Sequence, residues 1–160
     1  MDQQVIQQAH THILKFVSMA VLQIQKTFLR LEMIKKMVLI FTDNEQLDRD
    51  LSKCIKDSRI VYYPDYVLEE QEATTLIASI QPNKYNFKDF MFKVREKNIQ
   101  VILILENDKV KELKDALTLG IYDIVFDPFD LNEITQKISN PSHFSNISKY
   151  VKDILELETS

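Results

Sequence analysis

Gly120 is the only glycine in a chain of 160 residues, and that scarcity excludes whole classes of chemistry. Phosphate-cradling loops of the P-loop or dinucleotide-binding kind need glycines where the backbone approaches the ligand, and one glycine cannot build them. A Gly-x-Ser-x-Gly nucleophile elbow is excluded for the same reason. With Cys54 as the sole cysteine, neither an intramolecular disulfide nor a Cys-x-x-Cys pair can form, which fits a reducing, cytoplasmic setting. Of the three histidines, His10 and His12 are two apart and point in different directions on a helix, while His143 is remote, so no zinc set is expected. The longest apolar stretch, Ile13–Ile24, is broken by Lys15, Ser18 and Gln23 and is too short to span a bilayer. No basic start with a following apolar run and small-residue cleavage site is seen, so no signal peptide is expected.

What is present suits one domain plus an added element. Hydrophobic residues make up 45 %, enough for a core, and charged residues 28 %, with a net charge of −4. The charge is unevenly placed. Residues 1–36 carry Lys15, Lys26, Arg30, Lys35 and Lys36 against Asp2 and Glu32, a balance of +3, which leaves the remainder at −7. An acidic body repels a phosphate backbone, so no nucleic-acid partner is expected.

Residues 3–36 contain no proline or glycine and read as one long helix. Ile13, Val17, Ala20, Ile24, Leu31 and Ile34 follow a 3-4 spacing, with Thr27 as the weak position. Leu14, Val21 and Phe28 add a second line, with Leu22 and Leu29 beside it, so the stripe is wider than a two-stranded seam and must bury more than one side. The expectation is packing on its own domain or on a neighbouring copy; a membrane-surface helix anchored by lysines is the alternative. Met37 opens a segment that reads as a domain start in its own right.

From Lys36 onward, apolar runs and amphipathic stretches alternate. Strands are expected at Met37–Phe41, Arg59–Tyr63 (ended by Pro64), Thr74–Ile80, Gln100–Leu105 and Ile121–Phe126. Asp43 or Asn44 caps a helix with Leu47, Leu51, Cys54 and Ile55 inward, which makes Cys54 a buried structural thiol. A helix near Phe87–Lys97 turns Phe87, Phe90, Met91 and Val94 inward, and one from Asp108 turns Val110, Leu113 and Leu117 inward before Gly120 caps it. Leu131–Ile138 forms a further helix, Asn140-Pro141 breaks it, and a last helix carries Phe144, Ile147, Val151, Ile154 and Leu155 on one side. Five strands alternating with helices predict an α/β fold: a doubly wound five-stranded parallel sheet of order 2-1-3-4-5. Tyr62, Tyr63 and Tyr66 flank Pro64; they are expected to be partly buried, with an exposed aromatic partner site as the alternative.

The segment Ala116-Leu117-Thr118-Leu119-Gly120-Ile121-Tyr122-Asp123-Ile124-Val125-Phe126-Asp127-Pro128-Phe129 reads as helix, glycine cap, buried strand and proline break. Over residues 37–139 the chain resembles the receiver domains of response regulators. The resemblance implies a site at the C-terminal edge of the sheet: an acidic pair for Mg²⁺ after the first strand and a phosphoacceptor aspartate after the third. It further implies a Ser or Thr after the fourth strand and a Lys after the fifth, both contacting the phosphoryl oxygens, with the divalent cation and the ammonium offsetting the phosphoryl charge. At those positions stand Thr42 and Asp43, Ser79 (with a slip of one possible in the alignment), Leu105, and Asp127 where the lysine belongs. Only Asp43 matches, and capping explains it without function. Phosphotransfer is therefore not expected, and no cofactor is called for. An alternative gathers Asp43, Glu106 and Asp127 into a site for Mg²⁺ or Ca²⁺, a small-ligand or cation sensor at the sheet edge.

Within this superfamily the chain is most similar to the degenerate receiver-like domains that precede ParA/MinD-type ATPases, as in pilus-assembly localisation proteins of the CpaE/TadZ kind. The glycine segment, the missing acceptor and Asn140-Pro141-Ser142-x-Phe144-Ser145 carry that likeness. It implies a non-enzymatic module for self-association, localisation or control of a partner ATPase. The partner would be a second copy, giving a homo-oligomer, or a P-loop ATPase domain in the same polypeptide. Leu157-Glu158-Thr159-Ser160 follows a helix as the end of a fragment would. The organisation expected is residues 1–36 for packing or oligomerisation, 37–139 receiver-like, and 140–160 a C-terminal helix leading onward.

Overall fold

The computed structural model describes residues 2–33 and 36–156, with side chains described for 2–27 and 36–156. The chain divides into two compact units between Lys35 and Lys36. The first is a single helix, α1 (Gln3–Met33), uninterrupted because nothing in it breaks the backbone ladder. Every described side chain on it is exposed, including Ile13, Val17, Ala20 and Ile24. Leu31 and Ile34, the other members of the predicted stripe, fall outside the described side chains.

The second unit is an α/β sandwich. Its five strands are β1 (Met37–Phe41), β2 (Ser58–Ile60), β3 (Ala73–Ser79), β4 (Gln100–Leu105) and β5 (Asp123–Phe126), all parallel in the order β2-β1-β3-β4-β5. The helices are α2 (Glu45–Cys54), α3 (Pro64–Glu69), α4 (Phe87–Glu96), α5 (Glu112–Thr118), α6 (Leu131–Ser139) and α7 (Phe144–Ile154). The near-continuous apolar strands are those of a sheet covered on both faces. On one face Leu39, Phe41, Leu76, Leu103 and Leu105 pack with Val67, Phe90, Met91, Val94, Leu113, Ala116 and Ile147, from α3, α4, α5 and α7. On the other, Val38, Ile40, Ile77, Ile102 and Val125 meet Leu51, Ile55 and Ile134 from α2 and α6.

Gly120 closes α5 as predicted. It takes φ +75°, while Gly120 N–H donates to Leu117 O and Ile121 N–H to Ala116 O, the paired bonds of a Schellman cap.

Several local expectations change. The second strand stops at Ile60 instead of Tyr63, and Pro64 begins α3, its missing N–H costing nothing at the first helical position. Tyr62, Tyr63 and Tyr66 are consequently more than half exposed, since Val67 is the α3 side chain that turns inward. The helix expected from Asp108 begins at Glu112, and the last strand at Asp123 instead of Ile121. Phe144 and Leu155, at the two ends of α7, are exposed, whereas Ile147 is buried.

Cys54 is exposed, not buried. The reason is rotational. Taking Leu51 as the reference at about 100° per residue, buried Asp48 and Ile55 lie near +60° and +40°, and Leu47 and Cys54 near −40° and −60°. A buried polar side chain, Asp48, tilts the inward face of α2 away from Cys54.

Candidate functional site

In parallel sheets of this order, ligands bind beyond the C-terminal ends of the strands, and the receiver-site positions Thr42, Asp43, Ser79, Leu105 and Asp127 lie at that edge, with Glu106 beside Leu105. β1 ends in Phe41, and the chain turns into α2 through Thr42, Asp43 and Asn44. Asn44 is the helix cap: its side chain accepts from Leu47 N–H at 3.1 Å. Asp43 therefore does not cap. It sits at φ +59°, a left-handed conformation that aspartate tolerates better than most residues, and its carboxylate accepts from Lys84 Nζ at 2.8 Å.

Lys84 lies in the loop between β3 and α4. Besides Asp43 it donates to Tyr62 O at 3.1 Å, and its ammonium stands 5.9 Å from the centre of the Phe41 ring. One side chain thus ties the ends of β1, β2 and β3 together.

Thr42 is buried and donates to Asp48 Oδ1 at 2.5 Å, while Asn44 N–H donates back to its hydroxyl at 3.2 Å. Asp48 is only 2 % exposed; burial pushes its carboxyl above the ordinary aspartate range, and the Thr42 hydroxyl opposes that shift. Ser79, the position of the expected phosphoacceptor, donates its hydroxyl to Thr42 O at 2.6 Å. Tyr85 donates to Ser79 O at 2.5 Å, and burial raises its phenol well above the usual value. Gln81 donates to Phe41 O at 2.9 Å; its own carbonyl oxygen is buried without a partner. Leu105 is 1 % exposed and offers no hydroxyl. Asp127 and Glu106 are exposed, and the Asp127–Pro128 peptide is cis.

Among the described residues no group of three or more His, Cys, Asp or Glu side chains could hold a metal ion. Asp43, Glu106 and Asp127 therefore do not gather into the acidic cluster considered from sequence, and Asp43 already faces an ammonium. Asp48, Gln81, Lys84 and Tyr85 are the site residues that sequence reading missed. Asp48 carries a signal in hindsight: a charged residue one turn back from Leu51, adjoining the apolar stripe. Lys84 carries none, because a lysine in a polar loop is the commonest of surface features.

A cavity of about 370 Å³ opens beside this edge, lined by Ile80, Gln81, Pro82, Tyr85, Lys111 and Glu112 among others.

Comparison with known proteins places the fold. The α/β unit is similar to a response-regulator signal receiver domain from Bermanella marisrubri, with a TM-score of 0.57 and 17 % identity over 66 % of this chain and 98 % of that one. A receiver protein from Pseudomonas putida gives a TM-score of 0.55 and 19 % identity, covering 66 % and 96 %. A CheY-like receiver domain from Methanospirillum hungatei gives 0.57 and 12 %, covering 74 % and 98 %. No protein-family profile matches the chain, and no curated protein sequence does. The chain thus has the receiver fold: a five-stranded parallel sheet with helices on both faces. Among the described residues no helix is long and apolar enough to cross a membrane.

Proposed function

We propose that this chain is a non-enzymatic pseudo-receiver: a regulatory module that works by binding protein, in which the phosphotransfer site has become structural. The observation that carries this reading is the commitment of the polar groups at the site. Thr42 is held by Asp48, Ser79 by Thr42 O, and Asp43 by Lys84. No carboxylate stands at the end of β3 to accept a phosphoryl group. Asp127, at the end of β5, would repel a phosphoryl dianion instead of offsetting its charge. The partner is a second copy of the chain or a linked ATPase domain, as the sequence resemblance implies, and the setting is cytoplasmic.

The test is direct. Acetyl phosphate, or beryllofluoride with Mg²⁺, should leave the mass and the amide chemical shifts of Thr42, Ser79 and Leu105 unchanged. A phosphorylated species, or saturable shifts at those amides, would overturn the reading. A small-ligand sensor is the second reading, favoured by the cavity at Gln81 and the unpartnered Gln81 carbonyl oxygen. Calorimetry with Mg²⁺ and nucleotides on the wild type and on Gln81→Leu decides it; heat lost in the variant would support the sensor.

A further inference from the structure

The largest unexplained feature of the molecule is α1. Val5, Ile6, Ile13, Leu14, Phe16 and Val17 are each at least half exposed, and further apolar residues follow up to Ile24. Along about 46 Å of helix this is far more apolar surface than isolated exposed residues account for. A helix of this kind in water draws its stability from covering that face.

Its angular layout says what covers it. At about 100° per residue, Ile6, Ile13, Val17 and Ile24 lie within about 40° of one another and define the apolar midline. Leu14 and Val21 flank that line on one side, and Ala9, Phe16 and Ala20 on the other. The apolar face therefore spans about half the cylinder, interrupted by His10 about 40° from the midline, while Leu22 and Met19 lie outside it towards the lysine side; a two-stranded coiled coil needs only a narrow seam. Lys15 and Lys26 lie about 180° from the midline, and Asp2 and Glu32 bound a stretch with no acidic residue at all. A lipid surface would leave those lysines pointing away from its headgroups, and the borders of the face, where anchoring cations belong, carry Gln7, Gln23 and Gln25. In a bundle of like helices the same lysines face water, and the uncharged flanks meet neighbouring flanks without like-charge contact.

We infer that α1 assembles with the α1 helices of other copies into a bundle of three or more strands. Ile at core positions together with apolar flanks favours such higher-order assembly over a dimer. This rests on the protein-binding reading above and specifies its partner as further copies of the same chain.

The experiment is sedimentation equilibrium of the full chain at about 5–50 µM, a range wide enough to expose a weakening assembly. The wild type should be a trimer or larger. Val17→Lys with Ile24→Lys, on the midline, should give monomer. Leu14→Lys with Val21→Lys, on the flank, should reduce the assembly to a dimer. Circular dichroism and unchanged amide shifts in the α/β unit check that each variant is folded. A wild-type monomer overturns the inference, whether α1 then binds phosphatidylglycerol vesicles or covers its own α/β unit; so does a strict wild-type dimer. The beryllofluoride test reads the pseudo-receiver site alone, so either proposal can fail without the other.

Discussion

Lys84 Nζ lies 2.8 Å from Asp43 Oδ1, joining residues 41 apart in sequence across the C-terminal edge of the sheet. The pair is partly open to water, with side chains 28 % and 57 % exposed, so its worth is that of a surface ion pair. Lys84→Met should lower stability in urea unfolding by less than about 1 kcal/mol, and Asp43→Asn by a similar amount. The coupling between them should fade in about 1 M salt, where charges are screened within about 3 Å. A loss of several kcal/mol, unchanged by salt, would mean that Lys84 acts through burial of its stem and not through the pair. Hydrogen exchange supplies the local readout: Lys84→Met should speed exchange around Tyr62, whose carbonyl loses its donor.

Asp48 predicts a pH dependence. Its carboxyl is pushed up by burial, so the folded chain holds that proton more tightly than the unfolded chain does. The associated stability is present in full below the unfolded aspartate value, about pH 4, and is lost as pH rises through the higher folded value. Asp48→Asn keeps an acceptor for Thr42 and removes the buried charge. The variant should therefore gain on the wild type as pH rises from about 4 towards neutrality, measured as the difference in melting temperature. A difference that stays flat across that range would mean that Asp48 ionises without cost.

Gly120 predicts a backbone effect free of packing. At φ +75° a side chain is strained, yet a Cβ added there would meet only the Arg95 guanidinium, at an ordinary 3.5 Å. Gly120→Ala should cost about 1–2 kcal/mol, and Gly120→Asn less, because asparagine visits the left-handed region more readily. Equal losses in the two variants would point to space rather than conformation.

The sheet was legible because its code is local. Val38–Phe41 and Val101–Leu105 are unbroken apolar runs that suit a strand buried on both sides, and β4 matches its expected bounds residue for residue. Gly120 marked the end of α5 by conformation alone. The site was legible only as a set of departures from what the receiver resemblance implies, at Thr42, Ser79, Leu105 and Asp127. What replaced them was not, since Lys84 to Asp43 and Ser79 to Thr42 are contacts made across strands by side chains with no periodicity. Asp48 failed for a related reason. Its carboxylate is buried because Thr42 satisfies it, and hydrophobic patterning cannot register a partner six residues away.

That rotation of α2 gives a chemical test at Cys54. An exposed thiol reacts freely, so a disulfide reagent should titrate one thiol in the native protein at a rate near that of the denatured chain. Protection by two or more orders of magnitude would return Cys54 to the apolar face and displace Asp48 from it.

At the opposite edge of the sheet, Asp123 organises the entry to α7. Its Oδ1 accepts from Ser142 N–H at 2.7 Å and its Oδ2 from Gln100 Nε2 at 3.0 Å, while Gln100 is held in turn by Thr75 at 3.2 Å. The carboxylate is 5 % exposed, and since Gln100 Nε2 also donates to Lys137 O at 2.8 Å, Ser142 N–H is the donor that depends on it most where water is scarce. Removing one partner of a buried charge-assisted bond costs more than the bond is worth, because the donor left behind keeps its desolvation penalty. Asp123→Ala should lower stability by about 2–3 kcal/mol. The loss should be local as well as global, since Ser142 fixes the chain just before His143 and Phe144 start α7. Faster exchange confined to Ser142 and the first turn of α7, with α6 unchanged, is the expected pattern. Uniform acceleration through β4 and β5 would instead assign Asp123 to the sheet and leave α7 anchored by its apolar face, Ile147 with Tyr150, Val151 and Ile154.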